Sequence, residues 1–218
     1  ADLNFITRKY HEKGNVMKYE LTNETINHLG IILHRIKALK DFSDVKKGDL
    51  GGYIESKFNL NQSDNCWVYD DAIIYGYARV SGRARIYGRA RIYGHATIYG
   101  DATISGDATI SGCARVSGYA IVSGRATIYG DAIIYGDAII SGDARVSEQL
   151  IFCNRSDNFQ FTIFKTTDGI RLTAGCRFFT LDEAWKHWEK TRGGTQLGEE
   201  TFQILTHLEE MAKIKGWL

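Results

Sequence analysis

Residues 71–94 read DAIIYG YARVSG RARIYG RARIYG, four hexads in one register, and that register continues through HATIYG and DATISG to DARVSE at residues 143–148. Residues 71–148 hold thirteen hexads without an insertion. The second position is alanine in all thirteen, the fourth is Ile or Val in all thirteen, and the sixth is glycine in twelve. Positions 2 and 4 share one face of an extended strand, while positions 1, 3 and 5 project to the other and carry mainly Arg, Asp, Thr, Ser and Tyr. A six-residue unit with one apolar face cannot bury it alone, so the units must coil and stack around a column of Ile, Val and Ala. Glycine at every sixth place suits a corner with positive φ.

This register accounts for much of the composition. Of the 23 glycines in 218 residues, 12 belong to it, and there is no proline where average usage predicts about ten. Inside the repeat, proline would remove a ladder donor. The 27 basic and 26 acidic residues nearly cancel, which argues against a uniformly basic nucleic-acid binder and against an acidic disordered tail. No apolar run approaches the roughly 18 residues of a spanning helix, and the opening ADLNFITRKYHEKGN lacks the charged-then-apolar order of a signal peptide. A soluble cytoplasmic protein, with no membrane partner, is therefore expected. Cys66, Cys113, Cys153 and Cys176 form no CxxC pair, so neither a zinc ribbon nor a redox motif is indicated and reduced thiols are expected.

The hexads resemble the left-handed parallel β-helix of hexapeptide-repeat proteins, and this resemblance implies three hexads to each triangular coil. At that spacing Asp71, Arg89, Asp107, Arg125 and Asp143 fall in one column of alternating charge, whereas a two-hexad coil would set Asp131 on Asp143. Thirteen hexads make a little over four coils. With the cap described next and strands about 4.8 Å apart, the column is on the order of 25 Å long. Read backwards, the frame puts Cys66, Leu60 and Ile54 at position 2 and Leu50 at position 4, so residues 49–70 are expected to form a degenerate first coil or cap. The expected fold class is mainly β: a left-handed parallel β-helix over residues 49–148, an N-terminal β-rich cap over 1–48, and a C-terminal α+β capping unit over 149–218.

In the flanks, MKYEL and HLGIILHRIKAL read as strands of a hairpin, with NET and HLG as turn chemistry. After the repeat, QLIFCNR and FQFTIFKTTDGIRLTAGC read as further strands, with Asp168-Gly169 as a hairpin turn. Thr180 and Glu183 form a capping box for a helix carrying Leu181, Ala184, Trp185 and Trp188, whose tryptophans are expected in the core. A second helix is expected over residues 199–215, with Gly216 as its stop.

The flanks also carry a narrower resemblance. HRIKALKDFSDVKKGDLGGYIESKFNLNQSDNCWVYDDA, then the hexads, then FKTTDGIRLTAGCRFFTLDEAW is similar to a group of bacteriophage and prophage proteins, many of them labelled hexapeptide-repeat, transferase-like or polymer-forming; the likeness spans residues 17–188. It implies a phage accessory protein acting in a bacterial host, a setting in which anti-CRISPR and other anti-defence proteins are common.

Three functional classes were weighed. Hexapeptide-repeat acyltransferases use a histidine base near a loop that interrupts the coils, with an acyl-carrier cofactor bound between subunits. Here no loop interrupts residues 71–148, and the one histidine of the repeat, His95, occupies an outward position 1 with no partner that the sequence names. His11, His28, His34, His187 and His207 form no HxH or HExxH pattern, and GxSxG, GxGxxG and Walker patterns are absent. The expectation is therefore no enzyme, no catalytic residue, no metal and no cofactor. The binding class has more behind it: residues 71–94 hold five arginines against one acid, residues 95–148 three arginines against six. Arg79, Arg83, Arg85, Arg89 and Arg91, with Tyr87, Tyr93 and Tyr99, form the candidate binding set for a host protein of a defence system or a small anionic ligand. Direct sequence-specific DNA binding is not expected, because three-sided coils spread these arginines around the column. The third class is self-assembly: Ile121, Ile133 and Ile139 at outward position 3 are the candidate homo-oligomer surface.

Overall fold

The computed structural model describes residues 17–148, 150–166, 169–175 and 177–218. His11, the opening residues, Asp168 and Cys176 lie outside the described residues. Positions 3 and 4 of every hexad form a two-residue strand, and successive strands go to three different sheets before the fourth returns to the first. Ile74 pairs with Ile92, Val80 with Ile98 and Ile86 with Ile104, all in parallel and all three hexads apart. The chain is thus a three-sided parallel β-solenoid. One side is a long sheet that includes Ile73–Ile74 and Arg91–Ile92. The second is a five-strand face from Trp67–Val68 to Ile139–Ile140. The third is a four-strand face of Arg79–Val80, Thr97–Ile98, Arg115–Val116 and Ile133–Ile134.

The stack is held by backbone donors at positions 1, 3 and 5. In one hexad Arg89 N donates to Gly106 O at 2.8 Å, Arg91 N to Ala108 O at 2.9 Å and Tyr93 N to Ile110 O at 3.0 Å. Proline at any of these places would leave a carbonyl of the next coil without its donor. Inside, every position-2 alanine and every position-4 Ile or Val is buried, forming one continuous apolar column. The corners explain position 6. Gly112 has φ +67, and a Cβ there would lie 2.7 Å from Gly130 N of the following coil.

At the N-terminal end, β1 (Tyr19–His28) and β2 (Ile31–Ala38) form the expected hairpin, and its turn is the Leu29-Gly30 of HLG, both at positive φ. NET lies inside β1, at a break in register between Leu21 and Thr25. β3 (Leu50–Ile54) pairs antiparallel with β2 and parallel with Ile73–Ile74, joining the hairpin to the long sheet. The backward frame requires a correction here. Ile54 pairs with Ile74 and Leu60 bridges Val80, so both stack under position 4 with two residues more than a regular coil, while Leu50 is half exposed opposite Lys37. An insertion of two residues preserves the in-out alternation, so it leaves no trace in the apolar pattern. Cys66 keeps its expected place, because Trp67 and Val68 pair with Arg85 and Ile86 at the regular spacing.

Polar side chains close this end of the column. Lys18 Nζ donates to the carbonyls of Asp64 and Cys66 at 2.8 Å each, Tyr19 Oη to Leu60 O at 2.6 Å, and Asn59 Nδ2 to Gly76 O and Ala78 O at 3.0 and 2.9 Å. Each satisfies an acceptor on a buried edge. Burial holds the Lys18 amine below the usual lysine range.

At the other end, Ile151–Asn154, Gln160–Thr166, Gly169–Ala174 and Arg177–Phe179 make an antiparallel sheet packed on α1 (Leu181–Arg192) and α2 (Gln196–Ile214). Thr180 caps α1 through the expected box with Glu183, and Trp188 is in the core. α2 begins three residues earlier than expected, because Thr195 rather than an acidic residue caps it. Phe164 enters the solenoid core, Gln160 Oε1 accepts from Asp137 N, and Trp217 Nε1 donates to Glu148, so this unit covers the last coil. Arg155 staples the unit internally: it is buried, forked onto Asp157 at 2.9 and 2.8 Å, and donates to Thr201 Oγ1 at 2.9 Å among Phe159, Phe161 and Trp188. No helix among the described residues is long and apolar enough to cross a membrane.

Two stability predictions follow from this architecture. Gly112→Ala is expected to lower the chemical-denaturation midpoint more than Gly142→Ala. Both incur the roughly 1–2 kcal/mol cost of a left-handed residue, but a Cβ at Gly142 meets nothing within 4 Å. The Arg155 guanidinium holds the Asp157 carboxyl at about 2, below its ordinary 3.8. Its stabilisation is therefore complete above the ordinary value and lost as pH falls toward about 2; Asp157→Asn should flatten that segment of an acid-unfolding profile.

Candidate functional site

Position 1 of each hexad sits at a corner, where residues three hexads apart occupy neighbouring coils. Two of the three corner columns carry ion pairs: Arg89 Nε lies 2.8 Å from Asp107, Arg125 Nε 2.7 Å from Asp143, and Arg83 Nε 2.6 Å from Asp101. The alternating ladder read from the sequence is therefore present, and it occupies Arg83 and Arg89. The third column is Tyr77, His95, Cys113 and Asp131, all exposed. His95 N donates to Gly112 O and Cys113 N to Gly130 O, each at 2.8 Å, which sets these residues side by side on successive coils. The Tyr77 and His95 rings stack at 4.9 Å and 9°. With Tyr77 on one side of the imidazole, the coil bearing Cys113 lies on the other.

The same four-strand face presents Arg79, Thr97, Arg115 and Ile133 in register. Among the described residues neither Arg79 nor Arg115 is in an ion pair, so their guanidinium groups are available to an anion or a developing oxyanion. At the top of the face two shallow cavities meet. One, of about 480 Å³, is lined by Glu55, Ser56, Phe58, Gly76, Tyr77 and Arg79. The other, of about 640 Å³, also includes Phe58 and Arg79 and extends to Thr97. Phe58 is 85% exposed and Tyr77 76%, an unusual amount of aromatic surface to leave in water. Both cavities owe their shape to the irregular first coil.

The candidate binding set is dispersed. Arg79, Arg85 and Arg91 lie on the four-strand face, the five-strand face and the long sheet respectively. Arg91 donates to Thr109 Oγ1 at 3.3 Å. Tyr87 stacks on Tyr69 at 4.3 Å and Tyr93 on Tyr75 at 5.0 Å, as ladder neighbours, whereas Tyr99 is 44% exposed beside Thr97. Of the apolar set, Ile121 and Ile139 pair in one column and Ile133 lies on another face opposite Arg115. His95 with Cys113, Arg115 and Phe58 were not singled out from the sequence. The spacing that found the charge ladder, counted from Tyr77 in place of Asp71, finds the first pair.

Comparison with known proteins agrees with this architecture. The YdcK beta solenoid repeat family matches at residues 84–98, 90–106 and 96–112, a stretch that contains His95. The chain is 37% identical over 65 residues to an "Uncharacterized acetyltransferase YdcK" of Escherichia coli strain K12; the match covers 29% of this chain and 19% of that protein. The chain is thus a hexapeptide-repeat β-solenoid protein, and its match spans about a fifth of the curated relative. The expectation of no enzyme is corrected by this finding, since the relative carries the name of an acetyltransferase. The physical reason is that the chain offers His95 no partner in its own hexad or in an interrupting loop, whereas a solenoid supplies neighbours across coils.

Thiol accessibility follows from the same geometry. Cys66 is buried, and burial pushes its thiol up, while Cys113 is exposed and Cys153 half-buried. Titration of the native protein with an aromatic disulfide is expected to modify Cys113 first, and Cys66 only after unfolding, as located by peptide mapping.

Proposed function

We propose that the protein is an acyltransferase that moves a small acyl group of the acetyl class from a thioester donor to an amine or hydroxyl acceptor on the four-strand face, with His95 as the base. The observation that carries this reading is the likeness to a protein named as an acetyltransferase, together with a family match that contains the one histidine of the hexads. The surroundings of His95 support it. Stacking on Tyr77 restricts the imidazole, Arg79 and Arg115 offer unpaired guanidinium groups for donor phosphates or a developing oxyanion, and Phe58 and Tyr77 offer flat apolar surface beside a cavity. A rigid wall of this kind orients a bound thioester with little ordering cost.

A second reading is favoured by one observation, the exposure of Arg79, Arg85 and Arg91 without ion pairs among the described residues: capture of an acidic host factor, such as a component of antiviral defence. Because the three project from different faces, such a partner would have to wrap the column.

The acyltransferase reading is tested by following release of free thiol from acetyl-coenzyme A with a bacterial small-molecule extract as the acceptor pool. His95→Ala is expected to lower the rate by about 10²- to 10⁴-fold, the usual contribution of a positioned base, with an unchanged thermal unfolding curve. An unchanged rate in that variant, or no release by the parent protein, would overturn it.

A further inference from the structure

The third corner column departs from the other two in a way that the acyltransferase reading does not require. Elsewhere, position 1 is occupied by charged pairs that neutralise across coils, Arg83 with Asp101, Arg89 with Asp107 and Arg125 with Asp143. Here an imidazole, a thiol and a carboxylate follow one another on three successive coils, at His95, Cys113 and Asp131. Coils lie about 4.8 Å apart, which places the exposed Cys113 on the coil against the imidazole face opposite Tyr77, so that a ring nitrogen meets the thiol once the imidazole turns out of that stack. Arg115 stands two residues after Cys113 on the same outward face, without an ion pair among the described residues. A nucleophile and a base on neighbouring coils, with a cation two residues from the nucleophile, are the components of covalent catalysis. Among the described residues no acid pairs with Arg79 or Arg115 to compete for the substrate's charge.

Resting on the proposed acyl transfer, we propose that Cys113 is a covalent acyl carrier, so that transfer proceeds in two steps through an acyl-Cys113 thioester. In the first, His95 takes the Cys113 proton and the sulfur attacks the donor's thioester carbonyl. The new Cys113 S–C bond forms, the donor's C–S bond breaks, and the proton on His95 passes to the departing thiolate. One thioester replaces another, so no oxidant, reductant or external energy is needed. In the second step, the acceptor amine or hydroxyl gives its proton to His95 and attacks the acyl carbon, and the sulfur leaves and recovers the proton. The Arg115 guanidinium faces the negative charge that builds on the carbonyl oxygen in both steps.

The test incubates the full chain with acetyl-coenzyme A and no acceptor, then reads intact mass and maps the modified peptide. One acetyl group on Cys113, released by neutral hydroxylamine, is expected. It should be absent in Cys113→Ala, form at least about tenfold more slowly in His95→Gln, and be unchanged in Cys153→Ser. Position 1 already holds Asp, Arg, Tyr, His and Cys in this solenoid, so Ala at 113 and Gln at 95 are compatible with the coil; equal thermal unfolding curves confirm it. Acetyl found on Cys153 instead, or formed equally fast in His95→Gln, would overturn the proposal. So would turnover that survives Cys113→Ala. In that last case a loss of turnover in His95→Ala leaves direct acyl transfer standing without a covalent step, whereas no adduct and no turnover in the parent protein removes both readings.

Discussion

The constraint on which everything else depends is the backbone ladder between coils. Through most of the column a hexad donates from positions 1, 3 and 5 to the coil that follows, at 2.7–3.1 Å. Those bonds hold each coil in register with its neighbours, and the register dictates what may stand at every other place. Position 2 must be small and position 4 branched and apolar, because the same two places on every coil fill one narrow interior. Position 6 must tolerate positive φ with another corner's backbone in contact. Proline has no admissible donor position. The polar ends follow from the same bonds: Lys18, Tyr19 and Asn59 answer acceptors that the ladder leaves open on the first coil, and the C-terminal unit covers the last.

A ladder of this kind turns a linear repeat into a two-dimensional surface. Residues distant in sequence become neighbours at one coil's separation, and each corner column acquires a character of its own. Two columns use this to cancel charge across coils. The third places a histidine, a cysteine and an aspartate on successive coils, without an ion pair among the described residues, below a cavity made by the irregular first coil. The chemistry proposed for the protein draws on one of three faces that share the same backbone geometry. The difference between faces is carried entirely by outward side chains, which have no part in holding the fold.

The same separation explains what was legible and what was not. Alternation of apolar and polar residues is visible along the chain, so the solenoid and its glycine corners were readable, and the ion pairs followed once three hexads were taken per coil. The displacement of Ile54 and Leu60 was hidden because two extra residues keep the alternation intact. The turn at Leu29-Gly30 was readable in HLG, whereas NET has turn composition but sits at a register break inside a strand. For the site, the spread of the five arginines followed from the same three-hexad coil, which sends Arg79, Arg85 and Arg91 to three faces and commits Arg83 and Arg89 to aspartates.

By itself, the sequence determined the repeat, the interior column and the places where corners fall, since these depend on the chemistry of residues two and six apart, which local geometry relates directly. Only the tertiary structure decided which outward residues meet. His95 and Cys113 are separated by three hexads, and no local property of either names the other; they become neighbours because eighteen residues close one coil and the backbone of the next is bonded against it. The fold is thus written in short-range pattern, whereas the candidate site exists only in the spacing between coils.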